Sequence, residues 1–246
     1  MSLRAVHVKR TRMPGKCVCR KIFPLLVLVF SLTCGAEVRA KTDTARYRGE
    51  ISAENNLRFF AHVARRPVQR LIIDSPGGEV EAGIALGYWI FRHGIDVIVE
   101  DRCLSSCANY VFPAGRRKFI RKGALVAWHG NYHHLHATGL WRDDVAARMA
   151  DTGENAATAG RHVRRQVQHL VALERDFFHH IGVDQRLCWV GKMPPHSAAG
   201  YYTLSASDMA RYGLKPVHTP SGYPGTVPHR FDDAIVLVRM ESPPHR

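Results

Sequence analysis

The sequence predicts an α/β fold, and three observations carry that expectation. Strand-like and helix-like segments alternate from residue 45 to about residue 128. The connections between them are short. The run VQRLIID at residues 68–74 ends in nearly continuous apolar residues, the composition of a strand buried on both faces of a parallel sheet. Strands separated by helices with short loops imply parallel pairing through right-handed crossovers.

Each element has its own local cause. Residues 45–51 (ARYRGEI) read as a first strand. Ser52 is positioned to N-cap a helix over Ala53–Val63, although Asn55 stands where a full capping box would carry Glu or Gln. The strand at 68–74 is broken by Ser75-Pro76-Gly77-Gly78. Residues 79–93 then place Val80, Ile84, Leu86, Tyr88, Ile90 and Phe91 on a helical face, and Gly94 stops the helix. A third strand is expected at 95–100, a helix at 107–115, a solvated hairpin at 116–122 and a further strand at 124–128. A histidine-rich loop (130–139) follows, then a long amphipathic helix through Val163, Val167, Leu170, Phe177 and Ile181. Arg161, Arg164 and Arg165 form its solvated face. Residues 205–212 read as a short helix closed by Gly213. Beyond Pro216 the chain is rich in Pro, Gly and His and reads as irregular, except for a candidate edge strand at 234–240.

The formal net charge of +14 first suggests a nucleic-acid partner. Half of it lies in residues 1–40, where eight Lys/Arg face only Glu37. The remainder has no long basic block and no aromatic platform, so no nucleic-acid partner is expected. Residues 1–40 instead read as an export signal: a basic start, an apolar run at 22–32, then small residues before Lys41. That run is shorter than the ~20 residues a spanning helix needs, so a membrane tether is expected only if residues 22–34 stay uncleaved. The organisation is therefore a signal peptide (1–40), one α/β domain (41–216) and a Pro/Gly-rich tail (217–246), in a periplasmic or secreted protein. Cleavage would remove Cys17, Cys19 and Cys34 and leave Cys103, Cys107 and Cys188. In an oxidising compartment Cys103 and Cys107 can bridge a tight turn, Cys188 can compete, or all three can stay as small buried residues.

The chemistry-bearing stretch is DRCLSSCANYVFPAG, residues 101–115. A serine where a strand turns into a helix sits among unpaired N–H groups that favour negative charge. Acyl transfer also needs a base and oxyanion donors. Gly78, after the strand at 68–74, can offer an unobstructed N–H, and His129 ends the strand at 124–128. In open α/β sheets such carboxyl ends gather the ligand site. His129, His133, His134 and His136 carry no HExxH spacing, and no metal or other cofactor is expected.

Taken in order, SPGGEVEAG, SSCANYVFPAG and ALVAWHG resemble the proteolytic subunit of the Clp protease within the crotonase-like superfamily, and most of all its secreted periplasmic relatives. YRGEISAEN and TLSASDMARYGL extend the resemblance over residues 45–215. It implies a superhelix of ββα units, assembly into a homo-oligomer, and peptide or unfolded-protein substrates. Counted back from Ala114-Gly115, it makes Ser106 the nucleophile and His129 the base, with the N–H groups of Gly78 and Cys107 as the oxyanion hole. The family's aspartate does not carry over. Tyr201 falls at its place, and no carboxylate lies between Asp184 and Asp208. Asp184 is a poor substitute, and Lys118 and Lys122 are unremarkable as alternative bases. The expected function is an exported, ATP-independent serine peptidase working through an acyl-enzyme. The alternative is a catalytically impaired relative that binds peptides or serves assembly.

Overall fold

Parallel pairing organises the chain, as the alternating pattern requires. In the computed structural model, which describes residues 43–225 and 235–240, a six-stranded sheet has the order β1-β2-β3-β4-β7, with β5 also on β3. The strands are β1 (Asp43–Arg48), β2 (Val68–Ser75), β3 (Asp96–Leu104), β4 (Lys118–Ile120), β5 (Leu125–Ala127) and β7 (Val217–His218). β6 (Tyr202–Leu204) and β8 (Val236–Val238) form a second, two-stranded parallel sheet. An antiparallel bridge between Trp128 and Tyr202 joins β6 to the end of β5.

Helices α1 (Ala53–Val63) and α2 (Val80–Arg92) connect the first three strands. The Ser52 hydroxyl accepts from the Asn55 N–H at 3.2 Å, so the half capping box closes as expected. After β3 comes a π-helical turn (Cys107–Val111) that runs into the short α3 (Phe112–Ala114). It packs tightly on α2: a Cβ on Gly87 would lie 2.5 Å from the Tyr110 carbonyl oxygen. The long helix α6 (Ala156–Ile181) covers this layer through buried Phe177, which meets Tyr88 and Tyr110 edge-on at 5.1 and 5.9 Å between ring centroids.

Several expectations are corrected. β3 runs four residues past Glu100, because Arg102–Leu104 find a new partner in β5 after Val97–Val99 have paired with β4. The segment at 116–122 is not a solvated hairpin: β4 lies parallel between β3 and β7, and Lys118 is only 4% exposed. Burial pulls its ammonium down to about 8. The histidine-rich segment is largely helical. Asn131 caps α4 (Tyr132–Thr138) by accepting from the His134 N–H at 3.1 Å, and Gly139 ends it at a left-handed φ of 77°. A further helix, α5 (Asp143–Thr152), lies between α4 and α6. Ser205 caps α7 (Ala206–Arg211). Past Pro216, β7 and β8 give the tail two ordered pairings. The expected signal segment and the extreme C-terminus lie outside the described residues, among which no helix is long and apolar enough to cross a membrane.

Candidate active site

Three chain ends meet at one edge of the sheet. Leu104 pairs with Ala127, and the Ser105 N–H donates to the Ala127 carbonyl at 3.2 Å. The residue after β3 and the residues after β5 therefore emerge together. Ser75 pairs with Cys103 on the other side of β3, so the turn 75–78 arrives beside them. The close fit explains Gly77: a Cβ there would sit 2.6 Å from Ser105 Cβ and 2.9 Å from the Ser106 nitrogen.

His129 Nε2 lies 2.7 Å from Ser105 Oγ. The Ser106 hydroxyl points elsewhere, donating to the Gly78 carbonyl at 2.6 Å, and the residue is 3% exposed. The pairing of Ser106 with His129 expected from the sequence is thus replaced by Ser105 with His129. A π-helical turn, Cys107–Val111, follows the two serines directly. A register counted back from Ala114-Gly115 presumes α-helical spacing, and a π turn absorbs one extra residue. Ser105 holds a left-handed φ of 52°, a strained conformation for a non-glycine residue and one typical of functional turns.

Of the two expected oxyanion donors, Gly78 lines the cleft with the serines and Cys107 does not. Gly78, Ser105, Ser106 and His129 line one cleft of about 270 Å³, while Cys107 lies beneath it, fully buried. With Ser105 as the reacting group, the following amide is that of Ser106, and it takes the place expected for Cys107. Cys107 is joined to Cys103 in a disulfide with a Cα–Cα separation of 5.1 Å, tying the end of β3 to the π turn. Cys188 is a buried free thiol, raised well above its ordinary value by burial and then by Glu174.

His129 has no carboxylate partner among the described residues. Crowding by protein atoms lowers its pKa, and Lys192 and His134 lower it further. His129 is exposed and lines the cleft. Tyr201 occupies the place expected for the acid, its ring 4.7 Å from that of His129 between centroids. Burial raises the Tyr201 phenol, partly offset by the Ser105 hydroxyl. Asp184 is committed to Arg186 at 2.5 Å and to capping the turn Gln185–Cys188. Lys118 and Lys122 are not in the cleft lining, and no three-residue metal-ligating group is present among the described residues.

One buried acid supports the floor. Glu174 of α6 is fully buried, accepting from the Tyr110 hydroxyl at 2.5 Å and from the N–H groups of Tyr132 and His133 at 3.1 and 2.9 Å. Desolvation raises it to about 7 despite these donors. It was not anticipated from the sequence, where it sits among the charges of an amphipathic helix. A wider depression of about 800 Å³ beside α7 and Gly222–Gly225 carries no serine–histidine pair.

No family model matches the chain. No curated protein matches it either. Solved structures similar to part of it include a mutant of the membrane-bound stomatin-specific protease 1510-N, at 15% identity and a TM-score of 0.30, covering 47% of this chain and 66% of that one. A mutant of ClpP1 from Listeria monocytogenes is similar at 17% identity and a TM-score of 0.32, covering 49% of this chain and 78% of that one.

Proposed function

We propose that this protein is a serine hydrolase with a Clp-protease-like fold that cleaves peptides through an acyl-enzyme, with Ser105 as nucleophile and His129 as base. The observation that carries the reading is the 2.7 Å approach of His129 Nε2 to Ser105 Oγ, at the meeting of three strand ends. The lowered pKa keeps the imidazole neutral near pH 7, the form that accepts a proton. In the reaction, Nε2 takes the Ser105 proton as Oγ attacks the carbonyl carbon. The resulting oxyanion is met by the N–H groups of Gly78 and Ser106. His129 then protonates the departing amine, and water releases the acid from the seryl ester. Tyr201 packs against the imidazole without supplying the charge that an aspartate would, and loss of that carboxylate in a triad costs about 10⁴-fold in turnover. The site is a slow dyad.

The Cys103–Cys107 disulfide under the nucleophile supports residence in an oxidising compartment after export, where no ATP-driven partner would feed it. Short or unfolded peptides are the substrates this implies, and assembly with copies of itself belongs to the same reading. Hydrolysis of an activated peptide ester tests it: Ser105→Ala and His129→Ala should each abolish the enzymatic rate, and Ser106→Ala should retain most of it. Full activity in Ser105→Ala contradicts the proposal.

A further inference from the structure

The chain around Tyr201 shows why its ring lies on His129. Tyr202 and Trp128 exchange two backbone hydrogen bonds, each of 2.8 Å, in an antiparallel bridge. The next residues opposed in such a pairing are Tyr201 and His129, whose side chains therefore neighbour each other on one face. Their ring centroids are 4.7 Å apart. β6 begins only at Tyr202, and among the described residues no backbone N–H donates to the carbonyls of Ala199 or Gly200. Strand pairing thus leaves the chain just before Tyr201 without a hold of its own.

Lys192 supplies that hold. It closes the short turn Val190–Lys192, and its Nζ donates to the Ala199 carbonyl at 2.7 Å and to the Gly200 carbonyl at 3.1 Å. An ammonium carries three donors, so one lysine binds both carbonyls at once. Gly191 fixes the base of the lysine: its carbonyl accepts from the Ala198 N–H at 2.8 Å, and a Cβ on it would lie 2.4 Å from the Tyr202 ring. Residues 191–200 are thus closed on themselves, and Tyr201 follows directly. The titratable and hydrogen-bonding groups around the imidazole are Ser105 after β3, His134 of α4, Tyr201 before β6 and the Lys192 ammonium, and none of them is a carboxylate.

A triad carboxylate does two things: it holds the imidazole in orientation and it stabilises the imidazolium. Here the ring is held by packing, and the second effect is reversed, since a positive charge in its surroundings favours the neutral ring. We infer that Lys192 is a positioning residue for the base, latching residues 199–200 so that Tyr201 keeps its ring on His129. Lys192 does not line the cleft, so it acts through Tyr201 and through its charge rather than on a substrate. The inference rests on the Ser105–His129 reading for its catalytic meaning, whereas the latch itself is independent of turnover.

Lys192→Met keeps the apolar stem and removes both the donors and the charge, while Lys192→Arg keeps donors and charge. Two NMR readings on the full chain test the latch without turnover: cross-relaxation between the Tyr201 and His129 rings, and the pH titration of His129. The ring contact should be present in wild type and Lys192→Arg and lost in Lys192→Met, where His129 should titrate at higher pH than in wild type. Turnover of an activated peptide ester should follow, with kcat about tenfold lower in Lys192→Met, KM changed by less than about threefold, and most of kcat restored in Lys192→Arg. If Lys192→Met does not fold, Lys192→Gln, which retains an amide donor but no charge, is read for the His129 titration and should shift it the same way. An unchanged ring contact or an unchanged titration in the uncharged variant overturns the inference, as does loss of the contact in Lys192→Arg. Fluorophosphonate labelling of the wild-type protein is scored separately. Labelling with His129 unchanged in Lys192→Met sinks only the latch, and a contact that depends on Lys192 without labelling sinks only the hydrolase reading.

Discussion

At the scale of single residues, the proposed chemistry turns on which of two adjacent serines faces the imidazole. His129 reaches Ser105, and Ser106 is tied to the Gly78 carbonyl. The sequence made both serines visible and the resemblance chose Ser106, whereas in the fold His129 meets Ser105, just ahead of the π turn Cys107–Val111. Nothing in the composition of CANYV marks a π turn. The position of His129 at the serine edge was legible, since a histidine directly after a strand needs only the parallel topology to bring it there. The pH dependence belongs at this scale. Crowding together with Lys192 and His134 lowers the His129 pKa, so the active base persists at more acidic pH than for a free histidine. The acid limb of kcat/KM should fall below pH 6.5, rising with pH as the imidazole loses its proton. A limb above pH 7 in a steady-state pH profile would point to a carboxylate beside the ring. Tyr201→Phe keeps the ring against His129 and removes the hydroxyl near Ser105. The same profile should keep its shape, with kcat changed by less than about tenfold, because no charge is lost.

At the scale of elements, α6 and α4 are coupled through Glu174. Its folded value of about 7 lies above the 4.5 of an ordinary glutamate, so the folded chain holds this proton more tightly than the unfolded chain. Its contribution to stability is complete below pH 4.5 and is lost as pH rises through 7. Glu174→Gln retains an acceptor for the α4 amides and has no charge to bury. Relative to wild type it should gain stability between pH 5 and pH 8, by up to about 3 kcal/mol, as read from urea unfolding at the two values. A difference independent of pH would contradict the assignment. The Cys103–Cys107 link closes a very short loop, and a Cys103→Ala/Cys107→Ala pair should cost about 2 kcal/mol in the same assay. The helices with strong periodicity, α1, α2 and α6, were legible from apolar spacing and caps. The helix α4 was not: YHHLHAT has no apolar stripe, and its formation depends on the Asn131 cap, the Gly139 stop and the buried Glu174 against its first turn.

At the scale of the whole molecule, the parallel sheet was readable because alternating strands and helices with short loops leave few other topologies. The split of β3 between β4 and β5 was not readable, since the pattern of residues 96–104 gives no sign of a change of neighbour. That split sets Ser105 and His129 at the same edge of the sheet. The layer beneath the site depends on Phe177 of α6, fully buried against Tyr88, Tyr110 and Phe178. Phe177→Ala should destabilise the fold by about 3–5 kcal/mol in chemical denaturation, and a loss below 1 kcal/mol would contradict the packing described.

The central claim is that Ser105 carries the acyl group. Peptide mapping by mass spectrometry after treatment with a fluorophosphonate tests it most directly. The account predicts a single adduct on Ser105, lost in Ser105→Ala and strongly reduced in His129→Ala. An adduct on Ser106, or no adduct on either serine, would contradict it.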